Sequence, residues 1–211
     1  MHAAAERTAA EHARNTIICE DFLMKKLKIT FNSPVVLGFM FISFVALFLN
    51  ATTLGKSNAL LFMTYHSSLK DPLTYVRLFT HVLGHAGWEH YIGNAAYILL
   101  LGPMLEEKYG SKEILFVILV TAFVTGLVNY IFFPGVALCG ASGVVFAFIL
   151  LTSFTSFKNG EIPLTFILVA VIFLGQQVYE GISIKDNISN LSHVVGGIIG
   201  SIVGYRQNKT R

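Results

Sequence analysis

The sequence predicts an all-α membrane protein, a bundle of six transmembrane helices with both termini on the inner side. Three observations carry this. Of 211 residues, 54% are apolar and 13% charged, where a soluble domain carries about a quarter charged. The apolar residues fall in six long blocks instead of amphipathic stripes, and mean hydropathy is +0.65, as expected of helices solvated by lipid. Lys and Arg are also distributed unevenly between the two sides that six crossings define.

Residues 1–33 are mixed and polar, without the apolar core of a signal peptide. They predict a cytoplasmic tail. Met24-Lys25-Lys26-Leu27-Lys28 is an alternative start, in which case residues 1–23 carry no structure. Residues 34–206 are expected to form the membrane domain, and 207–211 a basic tail.

The first span is expected over 34–51, with Pro34 at a helix start where its missing N–H is not needed. The stretch 52–76 is long for a connection. It mixes Lys56, Lys70, Asp71 and Pro72 with Leu60, Leu61, Phe62 and Met63. This mixture predicts an irregular segment lying in the membrane interface. The second span, 78–101, holds His81, His85, His90 and Asn94. The third covers 114–133 and ends at Pro134-Gly135. The fourth, 140–157, opens with Gly140-Ala141-Ser142-Gly143. The fifth covers 163–178 and the sixth 188–205. All five prolines fall at or near span ends or in loops, as uninterrupted helices require.

With the N-terminus inside, the inward segments carry eleven of the fifteen cations, and the outward ones only Lys56, Lys70, Arg77 and Lys185. The positive-inside rule then favours both termini inside. Spans two, four and six enter from the outside in this arrangement. His81 to Asn94, Ser142 and His193 therefore fall in the outer half of the membrane, which points to a single site.

Small residues such as Gly140, Ser142 and Gly143 commonly do no more than let membrane helices pack closely. A lone intramembrane histidine, His193, adds a proton acceptor where such groups are rare. Together they suggest a nucleophile and its base. Positions 193, 196, 200 and 204 share one helix face. The glycines at 196 and 200 would draw span six onto span four. No carboxylate lies in span four or six, so a Ser142–His193 dyad is expected in place of a triad. Phe146, four residues after Ser142, lies on the same face and can pack on the imidazole, or serve in ordinary core packing. His90 and Asn94, also i and i+4, offer donors to a developing oxyanion, beside the Ser142 backbone N–H. His81 and His85 read as site support or as polar residues at a wet helix end. His81, His85 and His90 lack a HExxH pattern and a carboxylate partner, so no metal is expected.

A net charge of +3, scattered along the chain, does not point to nucleic acid. Cys19 and Cys139, one in the tail and one beside the serine motif, predict neither a structural disulfide nor a zinc site.

These motifs in combination resemble the rhomboid family of intramembrane serine proteases over roughly 34–206. The resemblance rests on Arg77, His81-x3-His85-x4-His90-x3-Asn94, Glu106 with Gly110-Ser111, Gly140-Ala141-Ser142-Gly143, and His193-x2-Gly196-x3-Gly200. It implies that Ser142 is the nucleophile, that His193 is the general base, and that His90 and Asn94 line the oxyanion hole. It further implies a laterally placed, membrane-embedded loop over 52–76 and a water-filled cavity open to the outside. The partners implied are transmembrane protein substrates and the lipid bilayer, with no cofactor and the oligomeric state open. The location implied is a bacterial inner membrane. Phe146 stands where tyrosine is frequent, Val76 where tryptophan is common and Ser192 where alanine is usual. The alternative is a non-proteolytic relative that binds client helices. A transporter is disfavoured, since the spans hold no buried acid or broken helix.

Overall fold

A computed structural model of the chain describes residues 30–156, 163–183 and 187–209. Most of the tail expected over 1–33, with Met24 and Cys19, lies outside them, as do Lys158, Lys185, Asp186 and Arg211. Among the described residues the structure is helices and their connections, without strands. It comprises α1 (Pro34–Thr52), α2 (Pro72–Thr80), α3 (Trp88–Tyr109), α4 (Ser111–Phe132), α5 (Ser142–Ser153), α6 (Leu164–Ser183) and α7 (Asn187–Lys209). A π-helical turn at Asn58–Phe62 and 3-10 turns at His81–Leu83 and Phe154–Ser156 complete it.

Helix α5 is the axis of the packing. Gly143 through Leu151 are buried without interruption, so this helix shows no polar face and behaves as a core helix. It packs against α3, α4, α6 and, most extensively, α7. The surrounding helices expose large apolar side chains, among them Phe41, Phe48, Leu100, Phe132, Ile167 and Val171. So much apolar surface is unsuited to water and suited to lipid. By length and composition α1 and α4 are able to cross a bilayer. Ser142–Ser153 and Leu164–Phe173 are apolar but shorter.

Pro34 opens α1, as expected. The donors of its first turn, which lack intrahelical partners, find an acceptor on another helix. Val35 and Val36 donate their N–H groups to Glu106 Oε1 and Oε2, each at 3.0 Å. Ser111 donates its hydroxyl to Oε1 at 2.7 Å. A buried carboxylate on α3 therefore caps α1 and holds the start of α4 beside it. Glu106→Ala removes three charge-assisted bonds and leaves two helix donors unpaired. A destabilisation of about 3 kcal/mol or more is expected, seen as a lowered thermal unfolding midpoint in detergent. An unchanged midpoint would refute this account of the α1 cap.

The second expected span requires correction. A helix was expected over 78–101, but α3 begins at Trp88 and runs to Tyr109. The chain ahead of it breaks after His81–Leu83. The cause is a close approach: a Cβ on Gly84 would stand 2.0 Å from the Phe62 carbonyl oxygen. Hydropathy does not register such a contact. Pro103 consequently lies inside α3 instead of at a span end. The expected irregular stretch 52–76 also contains the start of α2. Asp71 caps that helix by accepting from Leu73 N–H at 3.0 Å, with Pro72 at its first position.

Arg77 fastens this connection. It is 3% exposed and pairs with Asp71 at 2.8 Å. It also donates to the Leu60 carbonyl and Ser67 Oγ, each at 3.2 Å, and lies over the Tyr65 ring. The Leu73 N–H and then Arg77 hold the Asp71 carboxyl below the usual range. Farther along, Thr64 and Leu138 exchange backbone hydrogen bonds at 2.9 and 2.8 Å. This isolated antiparallel bridge ties the first connection to the segment that leads into α5.

Candidate active site

The approach to α5 is set by Gly140. Its φ is +129°, and its N–H donates to the His81 carbonyl at 2.9 Å. A Cβ there would lie 2.6 Å from His90 Cε1, 2.7 Å from His90 Nε2 and 3.8 Å from Asn94 Nδ2. Backbone conformation and space thus both demand glycine. The same contacts bring His90 and Asn94, at the start of α3, against the loop that opens α5. The Asn94 amide nitrogen is buried and has no hydrogen-bond partner among the described residues. A buried donor in that state is available to an acceptor placed beside Gly140.

Ser142 is the first residue of α5 and is half-buried. Its N–H belongs to the first turn, where donors have no intrahelical partner. Cys139, just ahead, is a half-buried free thiol. Burial pushes its pKa up, so it is protonated near neutral pH and a weak nucleophile beside Ser142.

Helix α7 approaches α5 along its glycine face. A Cβ on Gly196 would stand 2.0 Å from the Gly143 carbonyl oxygen, and one on Gly200 2.1 Å from that of Ala147. On Gly143, a Cβ would meet the Ser192 carbonyl oxygen at 3.5 Å. Ser142 and His193 are therefore each adjacent in sequence to one member of a closely approaching pair, Gly143 and Ser192. The Phe146 ring stacks on the His193 imidazole, with centroids 4.3 Å apart and planes 5° from parallel. Phe173 of α6 meets the same Phe146 ring edge-on at 5.9 Å. The sequence did not single out Phe173, because it is one aromatic among many on an apolar helix.

His81 and His85 do not share a helix face, contrary to the i, i+4 expectation. The break at Gly84 separates them. His81 is buried, with Nδ1 3.2 Å from the Arg77 carbonyl and Nε2 3.2 Å from Thr125 Oγ1. Both ring nitrogens are occupied by protein, so its part is to hold the segment whose carbonyl anchors Gly140. His85 Nδ1 lies 3.1 Å from the Leu83 carbonyl, and its own carbonyl accepts from Asn58 Nδ2 at 2.9 Å. Its ring meets those of His90 and Tyr91 edge-on, at 5.1 and 5.3 Å. It thus packs behind His90. Among the described residues, no cluster of three His, Cys, Asp or Glu is placed to hold a metal ion.

A family model described as the Rhomboid domain matches residues 72–209. The chain is 26% identical over 169 residues to the rhomboid protease GlpG of Haemophilus influenzae, covering 76% of this chain and 85% of that protein. It is 29% identical over 158 residues to rhomboid-related protein 2 of Mus musculus, covering 65% and 52% of the two chains. Over 136 residues it is 28% identical to RHOMBOID-like protein 1 of Arabidopsis thaliana, covering 61% and 33%. The chain thus spans most of the bacterial relative and about half or less of the eukaryotic ones.

Proposed function

The chain belongs to the rhomboid family, and from that premise we propose that it is an intramembrane serine endopeptidase working through a Ser142–His193 dyad. The observation that carries this reading is the seam between α5 and α7. Backbone contact at Gly143 and Gly196 sits beside Ser142, and the His193 ring is held against Phe146. In the proposed reaction Ser142 Oγ attacks the carbonyl carbon of the scissile bond while His193 takes its proton. His90, Asn94 and the Ser142 N–H donate to the oxygen that becomes negative. As the tetrahedral intermediate collapses, the C–N bond breaks and the leaving amine takes the proton from His193. Water then attacks the acyl-serine, with His193 as base, and releases the new carboxylate and the free hydroxyl. Phe146 takes the place of a carboxylate in orienting the imidazole, by stacking instead of hydrogen bonding.

The proposed substrates are membrane proteins cut in or near a transmembrane segment. The proposed topology has six crossings, by α1 and α3 to α7, with both termini inside. The tail spans 1–33, the membrane domain 34–206 and a basic tail 207–211. The charge asymmetry supports that orientation. We propose a bacterial inner membrane as its location.

The test is cleavage of a single-span model substrate by the purified protein in liposomes, with site variants alongside. Helical peptide bonds are shielded by their own hydrogen bonds, so substrates must unwind at the cut. Replacing small and helix-breaking residues around the cut with leucine is expected to lower the cleavage rate about tenfold or more, following the helix propensities of those residues. Equal cleavage of both substrates would refute the unwinding rule. No cleavage by the folded protein across several substrates would favour a client-binding role.

A further inference from the structure

A lipid-facing groove lies between α1 and α4, and neither Ser142 nor His193 lines it. Its walls include Pro34, Gly38 and Ile42 of α1 and Leu115 and Leu119 of α4, with Leu83 also lining it. Its volume is about 320 Å³. Thr80 also borders it, but its hydroxyl is taken by the Leu61 and Val76 carbonyls. An apolar groove of this kind offers nothing to hold water. From Pro34 to Ile42 it follows eight helical steps, about 12 Å, close to the roughly 15 Å depth of one leaflet's hydrocarbon.

Charge marks one end. Lys112 is exposed and stands one turn before Leu115 and two before Leu119, on the stripe of α4 that lines the groove. It has no ion pair among the described residues. Two of the neighbouring acids are engaged elsewhere. Glu106 is bound to Val35, Val36 and Ser111, and Glu113 lines a different pocket with Phe116 and Arg206.

We propose that this groove binds one acyl chain of an anionic phospholipid, with Lys112 pairing to the headgroup phosphate. The proposal rests on the membrane reading of the chain and not on the dyad. Gly38 provides the decisive variant, because a Cβ there meets open space. Gly38→Phe carries a ring toward the groove from a position whose Cβ meets nothing within 4 Å. Lys112→Gln removes the headgroup partner and leaves the groove open.

The protein is reconstituted with phosphatidylglycerol or phosphatidylcholine, extracted in mild detergent, and its retained lipid is measured by native mass spectrometry. The parent is expected to keep one phosphatidylglycerol in preference to phosphatidylcholine. Gly38→Phe is expected to reduce retention of both by about tenfold or more. Lys112→Gln is expected to abolish the preference while keeping chain binding. Parent-like retention in Gly38→Phe would overturn the site, and an unchanged preference in Lys112→Gln would overturn the headgroup assignment. A lipid-free dimer in place of a lipid adduct would mean that the groove takes a second copy of the chain. Circular dichroism of each variant establishes that it is folded. Retention is read without turnover, so it can fail while cleavage succeeds, and the reverse.

Discussion

Ser142→Ala is expected to remove cleavage of a single-span substrate, with a fall of about 10⁴-fold or more in rate. Alanine keeps the helix start and deletes only the oxygen that would form the acyl-enzyme. The residue is half-buried at the first turn of α5, so the fold and its thermal midpoint should be unaffected. His193→Ala is expected to lose activity to a similar degree. The double variant should be no worse than either single one, because a nucleophile and its base act as a unit. A second readout separates the two roles. A serine-reactive fluorophosphonate should label the parent, label His193→Ala far more slowly, and fail to label Ser142→Ala. Undiminished cleavage by folded Ser142→Ala would refute the dyad outright. Loss of activity together with a lowered midpoint would make the serine a packing residue.

What can be read from the sequence divides along a physical line. The face shared by 193, 196, 200 and 204 is legible because helical spacing is local, and α7 does seat Gly196 and Gly200 on α5. The stacking of Phe146 on His193 is legible on the same terms, as a ring one turn from Ser142 facing a glycine-patterned helix. The break between His81 and His85 is not. It arises where Gly84 meets the Phe62 carbonyl, 22 positions away in sequence, and apolar content on either side hides it. The helix at Pro72–Thr80 was within reach, since Asp71-Pro72 is a helix-start signal, obscured by the irregular residues around it. The Thr64–Leu138 bridge carries no signal at all. It joins two polar-to-mixed connections through backbone atoms, which any residue supplies. The caps of Glu106 belong between these cases. An acid near a span end is visible, but its partners Val35 and Val36 are set by how α1 docks.

The other large effect is expected from the α5–α7 seam. At Gly200 a Cβ would sit 2.1 Å from the Ala147 carbonyl oxygen, and this neighbour is backbone, which has no rotamer to change. Helix α5 has nowhere to retreat, because Gly143 through Leu151 are buried on every side. Relief must come from α7 moving outward by more than about 1 Å, given ordinary contact distances for carbon and oxygen. Gly200→Val is therefore expected to destabilise by at least the 1–3 kcal/mol typical of overpacking, and to lower cleavage by about 10²-fold, since misplacing a catalytic group by about 1 Å is enough for that. Gly196→Ala makes an equally close backbone clash at Gly143, one turn from His193, and is expected to lower both the thermal midpoint and cleavage. Two controls isolate the cause. Gly175→Ala adds the same methyl in open space on α6, and Ile198→Ala alters α7 on an exposed face. Both should behave as the parent. If Gly200→Val unfolded at the parent's temperature and cleaved at the parent's rate, the seam would tolerate a side chain. Glycine would then not be what holds His193 against α5, and the dyad would need another source of its geometry.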